Sequence, residues 1–515
     1  MKTLILFLLA CIAQISFAQL NYVESSTGLQ APAMEAGPTE IEFADVNADG
    51  NLDIVCIGDH GSPYIGSGEH GVMVWFGDGL GNWSVLQVGN FGYGGVALGD
   101  INNDGLMDIG YAMHHNYSST DFGNQLMEVA LGDGTGTSWI PWDDGLATNG
   151  ETYGMFGCDF ADIDNDGDLD FGSISFGCCA GVHVYRNNGD GTWTQTFGFT
   201  GGNSTLVFVF GEINGDGFVD FACGHGQGAG SVYLGDGKGG FKPGDGNLPP
   251  AGNYGRYGIS LGDINDDGKD DLAYVTGSGA IKVYSWASDG SWTNLTGSLP
   301  TSGFYGTQIA DMNLDGHGDI VGFALGSIKI FTGDGNGNWT LMATITTPNS
   351  CDLAAWRAGY DFDHNGYPDV VRIAEENCSW SGGQNRPRAY KEASTPQSPW
   401  IFPKTPRGGE TLVAGSVRFI EWHAAVPQEV MPATMSIEIS TKGASGPWQT
   451  IVSGAPNNGR FQWQIPRTLP SSKNCYLRFT LTTSNGTIRT TTSKPFSIVH
   501  TYSPTDPKPA PPRGG

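Results

Sequence analysis

The sequence predicts an all-β chain: a ring of seven four-stranded blades followed by a small β-sandwich. Three observations carry this reading. A nine-residue acidic phrase recurs seven times, the 515 residues include 80 glycines with no long run of helical periodicity, and the phrase stops abruptly before residue 399. A repeat of this length denotes stacked or radially arranged units, because a unit of ~50 residues cannot bury its apolar face alone.

The phrase is clearest in its third copy, Asp162-Ile163-Asp164-Asn165-Asp166-Gly167-Asp168-Leu169-Asp170, with oxygen-bearing side chains at positions 1, 3, 5 and 9 and glycine at position 6. Hard cations such as Ca²⁺ take six to eight oxygen ligands, and the first half of the phrase matches an EF-hand loop, glycine included. An EF-hand would place Glu at position 12 between helices, whereas here Asp stands at position 9 and an apolar run follows at once. The phrase is therefore expected to be a calcium loop joining two strands. The other copies offer Asp45, Asn47, Asp49 and Asp53; Asp100, Asn102, Asp104 and Asp108; Glu212, Asn214, Asp216 and Asp220; Asp263, Asn265, Asp267 and Asp271; Asp311, Asn313, Asp315 and Asp319; and Asp361, Asp363, Asn365 and Asp369. Successive copies begin 55, 62, 50, 51, 48 and 50 residues apart. Up to seven Ca²⁺ are expected.

The formal net charge of −28 argues against a nucleic-acid backbone or an anionic membrane surface as partner, since both need a basic face. Of the 53 acids, 22 occupy the ligand positions themselves, so the acidity mostly describes metal sites. Residues 1–18 carry Lys2, an apolar stretch and small residues before Gln19, the pattern of a secretory signal. No other segment has the length and apolarity to span a bilayer. The mature protein is expected to be exported and soluble. Its cysteines fit an oxidising compartment, with Cys351 and Cys378 flanking the last loop as the expected disulfide and Cys56, Cys223 and Cys475 as buried thiols.

Each repeat shares one grammar: an apolar strand, the acidic loop, a second apolar strand, a variable stretch, a third strand, a Gly-Asp-Gly turn and an aromatic strand. The turn and aromatic appear as Gly77-Asp78-Gly79 with Trp83, Gly189-Asp190-Gly191 with Trp193 and Gly333-Asp334-Gly335 with Trp339. Four strands with a crossover make one propeller blade. The pattern Gly262-Asp263-Ile264-Asn265-Asp266-Asp267-Gly268 with Asp271 resembles the FG-GAP or VCBS repeat, over about residues 19–398. The resemblance implies a seven-bladed β-propeller like the head of integrin α chains, and it leaves function open because unrelated activities share the scaffold. The seventh repeat lacks an outer strand of its own. Tyr22-Val23-Glu24-Ser25 reads like one, so the two ends of the chain are expected to pair and close the ring.

From residue 399 to 499 the acidic loops give way to alternating segments such as Ser436-Ile437-Glu438-Ile439-Ser440. These predict an Ig-like β-sandwich. It resembles the small Ig-like domain of Ser/Thr-rich fungal wall proteins, which implies extracellular attachment or spacing. Residues 500–515 are Pro-rich and expected to be a disordered tail.

No Ser/His/Asp or Cys/His arrangement is identifiable from spacing, and most clustered acids are committed to the loops. His60, His70, His114 and His115 lie in variable connections and are read as solvated, with a second metal site or a lyase base as the alternative. The crossovers entering the inner strands are richer in information. They hold Phe91, Tyr93, Tyr153, Tyr254, Tyr257, Phe304, Tyr305 and Trp356 among glycines. The resemblance places them on the face opposite the calcium loops, where integrins bind ligand. Aromatics there could stack on sugar rings or form a protein hot spot, or simply pack between blades. The expectation is a secreted calcium-binding module for a glycan or cell-surface protein. The alternatives are an extracellular carbohydrate-active lyase or hydrolase, and a structural envelope component.

Overall fold

The computed structural model describes residues 20–29, 40–57, 72–88, 94–113, 124–151, 154–175, 181–199, 204–225, 231–249, 259–376 and 385–501. Seven four-stranded antiparallel sheets are the seven expected blades, and a two-sheet sandwich follows. The inner strands are Glu42–Ala44, Gly94–Gly99, Met155–Ala161, Ser204–Gly211, Ser260–Gly262, Gly306–Ala310 and Asp352–Tyr360. Each runs into an acidic loop and returns as a second strand that is buried almost throughout, such as Asp53–Ile57, Asp108–Met113 and Asp170–Ser175. The core lies between adjacent sheets: Val46, Val55 and Val74 of the first blade pack with Val96, Ile109 and Tyr111 of the second. Among the described residues, the one helical element is a single turn, Gln428–Val430, and no helix is long and apolar enough to cross a membrane.

The ring closes as the sequence predicts. Tyr22–Glu24 pairs antiparallel with Asn385–Glu392 and becomes the outermost strand of the seventh blade. The aromatic at the head of each outer strand explains why the partner must come from the N-terminal segment. Trp193, Trp292 and Trp339 each donate an indole N–H to a carbonyl just beyond the outer strand of the preceding blade, on Trp142, Gly244 and Leu295 at 2.8, 3.0 and 2.8 Å. Trp83 of the first blade makes the same latch to the Ser25 carbonyl at 2.9 Å. Ser25 thus stands where a preceding blade would stand, and the same latch recurs at four of the seven junctions of the ring; in the second blade the Trp139 indole N–H is buried without it.

The inner strands leave backbone groups facing the axis without a strand partner, and an unpaired buried group costs about as much as a lost hydrogen bond. Side chains from neighbouring blades fill this need. Glu40 accepts from the Val96 and Cys158 amides at 3.2 and 3.0 Å, Asp159 from Phe210 at 2.9 Å, Asp270 from Glu212 at 2.7 Å and Gln308 from Ala358 at 2.5 Å. Arg357 donates to the Ile41 carbonyl at 2.8 Å and ion-pairs with Glu42.

In the sandwich, Trp400–Thr405, Val417–Ala425 and Arg460–Gln464 form one sheet. The other holds Thr411–Val413, Phe496–Val499, Ser472–Thr483, Thr434–Ser440 and Gln449–Pro456, with Gly486–Thr491 paired to the longest strand. Trp422, Ile437, Trp463, Leu477 and Phe479 fill the space between them. Cys56, Cys223 and Cys475 are buried free thiols as expected, and Cys158 joins them. Cys378, and with it the proposed disulfide, lies outside the described residues, as do residues 1–19 and 502–515.

Deleting residues 20–29 is expected to expose the edge of Asn385–Glu392 and leave the Trp83 indole N–H without its acceptor. Size-exclusion chromatography should show aggregation and the melting temperature should fall, whereas removing residues 502–515 should change neither. A monomeric, equally stable deletion protein would refute the closure argument.

Candidate functional site

All seven acidic loops adopt one backbone path. Position 4 is left-handed in every copy: Ala48, Asn103, Asn165, Asp266, Leu314 and His364 at φ 57 to 61°, and Gly215 at 81°. The glycine at position 6 follows at positive φ, from Gly268 at 83° to Gly167 at 107°. Ala and Leu pay roughly 1–2 kcal/mol to sit there, so residue preference does not set the path, and hydrogen bonds within the loop hold it. The position-1 carboxylate accepts the position-6 amide, as in Asp45 with Gly50 at 2.9 Å and Asp311 with Gly316 at 2.8 Å. Glu212, one methylene longer, keeps the contact and takes Gly215 as well.

The ninth-position aspartates are fully or almost fully buried. One oxygen of each accepts the position-2 amide and the other reaches the end of the third strand: Asp53 binds Val46 and Gly77 at 3.0 and 2.9 Å, and Asp170 binds Ile163 and Asn187, both at 2.8 Å. This structural clamp was not legible as such; the sequence offered position 9 as a ligand only.

Burial, reinforced by neighbouring acids, pushes the carboxyls far up: Asp53 and Asp271 to about 8, Asp108 to about 7. In the third loop Asp162, Asp164 and Asp166 bring carboxylate oxygens within 4.8 Å of one another, and in the seventh Asp361, Asp363 and Asp369 do the same. Asp162 Oδ1 and Asp361 Oδ1 are buried with no hydrogen-bond partner. Converging, desolvated oxygens with orphaned lone pairs are the donor set a hard divalent cation takes, so the residues present fit Ca²⁺.

The sandwich does not hang free as a spacer; it sits on the loop face and touches every loop. Asn458 donates to Asp45 at 3.2 Å, and Gln462 exchanges hydrogen bonds with the Asp100 backbone at 2.7 and 3.0 Å. On the third loop the Val417 amide donates to Asp162 Oδ2 at 2.8 Å, Gln464 reaches the Gly167 carbonyl at 3.1 Å and Arg467 the Asn165 and Asp166 carbonyls, both at 3.3 Å. Arg418 holds the Gly217 carbonyl of the fourth loop at 2.8 Å. Arg407 bridges Asp266 and the Gly316 carbonyl of the fifth and sixth, and the Val426 amide donates to the His364 carbonyl of the seventh at 2.9 Å. The charges match: residues 1–400 carry 13 Lys and Arg against 48 Asp and Glu, and residues 401–515 carry 12 against 5.

Residues 45–111, 212–274, 263–322 and 311–372 match the FG-GAP-like repeat, and residues 405–498 match the Kre9/KNH-like N-terminal Ig-like domain. The FG-GAP-like matches take in six of the seven acidic loops, all but the third. A search among curated proteins finds no match. Similar solved structures include an Agrocybe aegerita lectin described as recognising non-reducing terminal N-acetylglucosamine, 20% identical over 60% of this chain and 81% of that one, TM-score 0.42. They also include a Lactobacillus plantarum protein, 13% identical over 61% and 86%, TM-score 0.39, and SapL1 lectin with alpha methyl fucoside, 13% identical over 60% and 97%, TM-score 0.36. At such values they carry no argument about this site.

Around the axis of the FG-GAP-like propeller, under the Ig-like domain, lies a chamber of about 550 Å³. Its ceiling includes Lys404 and Glu421, paired at 2.8 Å, and Arg460 lying 3.5 Å over the Phe419 ring. Its walls include Asp159, Asp270 and Glu40, which burial raises to about 6, 7 and 8; each is engaged as an acceptor between blades.

Of the crossover aromatics, Phe91, Tyr93, Tyr153, Tyr254 and Tyr257 lie outside the described residues, as do His60, His70, His114 and His115. Phe304 and Trp356 are not surface residues: Phe304 packs on Phe331 and Trp356 stacks on Phe323 at 5.5 Å, both buried between blades. Tyr305 reaches solvent, with 38% of its surface exposed.

In metal-free protein the raised carboxyls bind protons more tightly folded than unfolded. The stability they contribute is full below about pH 4 and is lost as pH rises through the folded values of about 7 to 8. Calcium bound at the loops would take the place of those protons and would stabilise by about 2.7 kcal/mol per site at a hundredfold excess over Kd. The melting-temperature gap between calcium-loaded protein and chelated, desalted protein is therefore expected to be wider near pH ~8 than near ~5.5. Identical melting curves at both, with metal loss confirmed by elemental analysis, would show the loops to be ordinary turns.

Proposed function

We propose that the protein is an exported calcium-binding recognition module whose FG-GAP-like propeller engages a glycan or a cell-surface protein through the face opposite its acidic loops. The observation that carries this reading is the seat of the Ig-like domain. Because it covers the loop face and contacts all seven loops, the crossover face is the end of the ring that a partner can approach. Tyr305 presents an aromatic surface there, just before the inner strand Gly306–Ala310. An aromatic ring beside a glycine turn suits the flat apolar face of a sugar, and equally a protein hot spot. Recognition is favoured over catalysis because Glu40, Asp159 and Asp270 already hold backbone amides. A general acid or base needs a carboxyl free to exchange its proton with substrate.

An array of immobilised glycans, read in calcium, is the first test, with immobilised extracellular matrix proteins as the second arm. Against whichever probe is captured, Tyr305→Ala is expected to weaken binding about thirtyfold, the loss of a hot spot of ~2 kcal/mol, with an unchanged melting temperature. Trp356→Ala should instead cost about 3–5 kcal/mol of stability through the cavity it leaves. Undiminished capture by a folded Tyr305→Ala protein would remove this face from consideration.

A further inference from the structure

We infer that the Ig-like domain completes the propeller's metal sites, supplying positioning residues for the calcium ligands, so that calcium binding and seating of the domain are one coupled equilibrium. The inference rests on the reading of the loops as calcium sites. The third loop carries it furthest. Asp162 Oδ2 is held by two amides, Gly167 of its own loop at 3.2 Å and Val417 of the sandwich at 2.8 Å. That leaves Oδ1 buried and unpartnered beside Asp164 and Asp166. A residue 255 positions away in the chain thus fixes which oxygen of the first ligand is left for the ion. Gln464 and Arg467 hold the carbonyls of positions 4, 5 and 6 in the same loop. Asn458 does for Asp45 in the first loop what Val417 does for Asp162, adding a second donor to the oxygen that Gly50 already holds. Partners behind the ligands orient them, and losing one typically costs 10- to 100-fold in metal affinity.

The sign of the coupling follows from which atoms the sandwich touches. Were docking mainly attraction between its basic residues and the ligand carboxylates, a bound cation would compete with it. Instead Arg418 and Arg467 chiefly grip backbone carbonyls, while Arg407 and Lys494 pair most closely with Asp266, a position-4 residue outside the ligand set; Arg407 approaches the ligand Asp311 only at the longer distance of 3.7 Å. These groups are in place only when the loop follows its left-handed path. Partly exposed ion pairs add little, whereas ordering a loop costs about 1–2 kcal/mol per residue. A cation that holds the path therefore favours docking, and docking favours the cation by the same factor.

The test uses the full chain with Ca²⁺ as the probe. Chelator competition measures calcium affinities, and small-angle scattering with limited proteolysis of the exposed segment 393–398 reports the seat of the domain. For Arg418→Ala/Gln464→Ala/Arg467→Ala, a subset of sites is expected to bind about tenfold more weakly. In the unaltered chain, cleavage of 393–398 should accelerate when free calcium drops below the Kd of that subset, and slow again when calcium returns. Gln464→Ala alone, which removes one hydrogen bond and no core contact, should shift the same subset in the same direction and covers the case in which the triple variant does not fold. Wild-type affinities in a folded variant, or calcium-independent cleavage in a chain that does bind calcium, would overturn the inference. A chain that binds no calcium at all would overturn the reading of the loops instead.

Discussion

Seven buried carboxylates at the ninth loop positions are the constraint on which the ring depends. Each sits with an exposure of 2% or less and joins the loop to the third strand of its blade, in six through two backbone amides and in Asp271 through the Ile264 amide and the Ser285 side chain. Replacing the carboxylate by an apolar group would leave both donors buried and unpaired. Retaining it brings desolvated charge into a cluster of like charge, at several kcal/mol per ion unless something neutralises it. The two demands meet in the loop: the geometry that satisfies the amides also gathers acidic oxygens around one point, those of positions 1, 3 and 5 in the third loop and of positions 1, 3 and 9 in the seventh. The acidic loop is the corner of the blade and, on the calcium reading proposed above, its metal site as well, so a change that serves one role bears on the other.

Closure of the ring solves a second problem of the same kind. A propeller has no hydrogen-bonded sheet running through its axis, so inner-strand edges must find partners one group at a time. Glu40, Asp159, Asp270, Gln308 and Arg357 supply them, each reaching to another blade. At the periphery the tryptophan latches do the equivalent work. Blades are therefore tied at both the inner and the outer radius, and the chamber between is walled by acids whose polarity serves the scaffold.

The blades, their loops and the closing strand were legible because each rests on a repeated local pattern. The latch shows why Trp83, Trp193, Trp292 and Trp339 recur after the Asp-Gly turn, and Tyr22-Val23-Glu24-Ser25 could be matched to an outer strand by its resemblance to other copies. The crossover aromatics were harder, since an aromatic among glycines looks alike whether it faces solvent or a neighbouring blade. Trp356 shows the difference: the same kind of segment that exposes Tyr305 lays its indole over Gly306 and against Phe323. The seat of the sandwich was not legible at all. Its contacts come from single residues, among them Arg407, Val417, Arg418, Asn458, Gln462, Gln464 and Arg467, scattered over strands and turns with no period. One of them acts through its backbone amide alone, which any residue but proline provides.

The division of charge nevertheless has a structural consequence beyond solubility. An acidic ring with seven loops on one face would, without its ions, repel itself across that face, and the repulsion would be strongest between adjacent loops. The sandwich places its cations at these seams: Arg407 spans the fifth and sixth loops, and Arg418 spans the third and fourth. One guanidinium with five donors can hold two loops in register where a point charge could only attract them. The docked domain thus links neighbouring blades at the loop face as the tryptophans link them at the rim. A small sandwich thereby gains a role in holding together a ring several times its size.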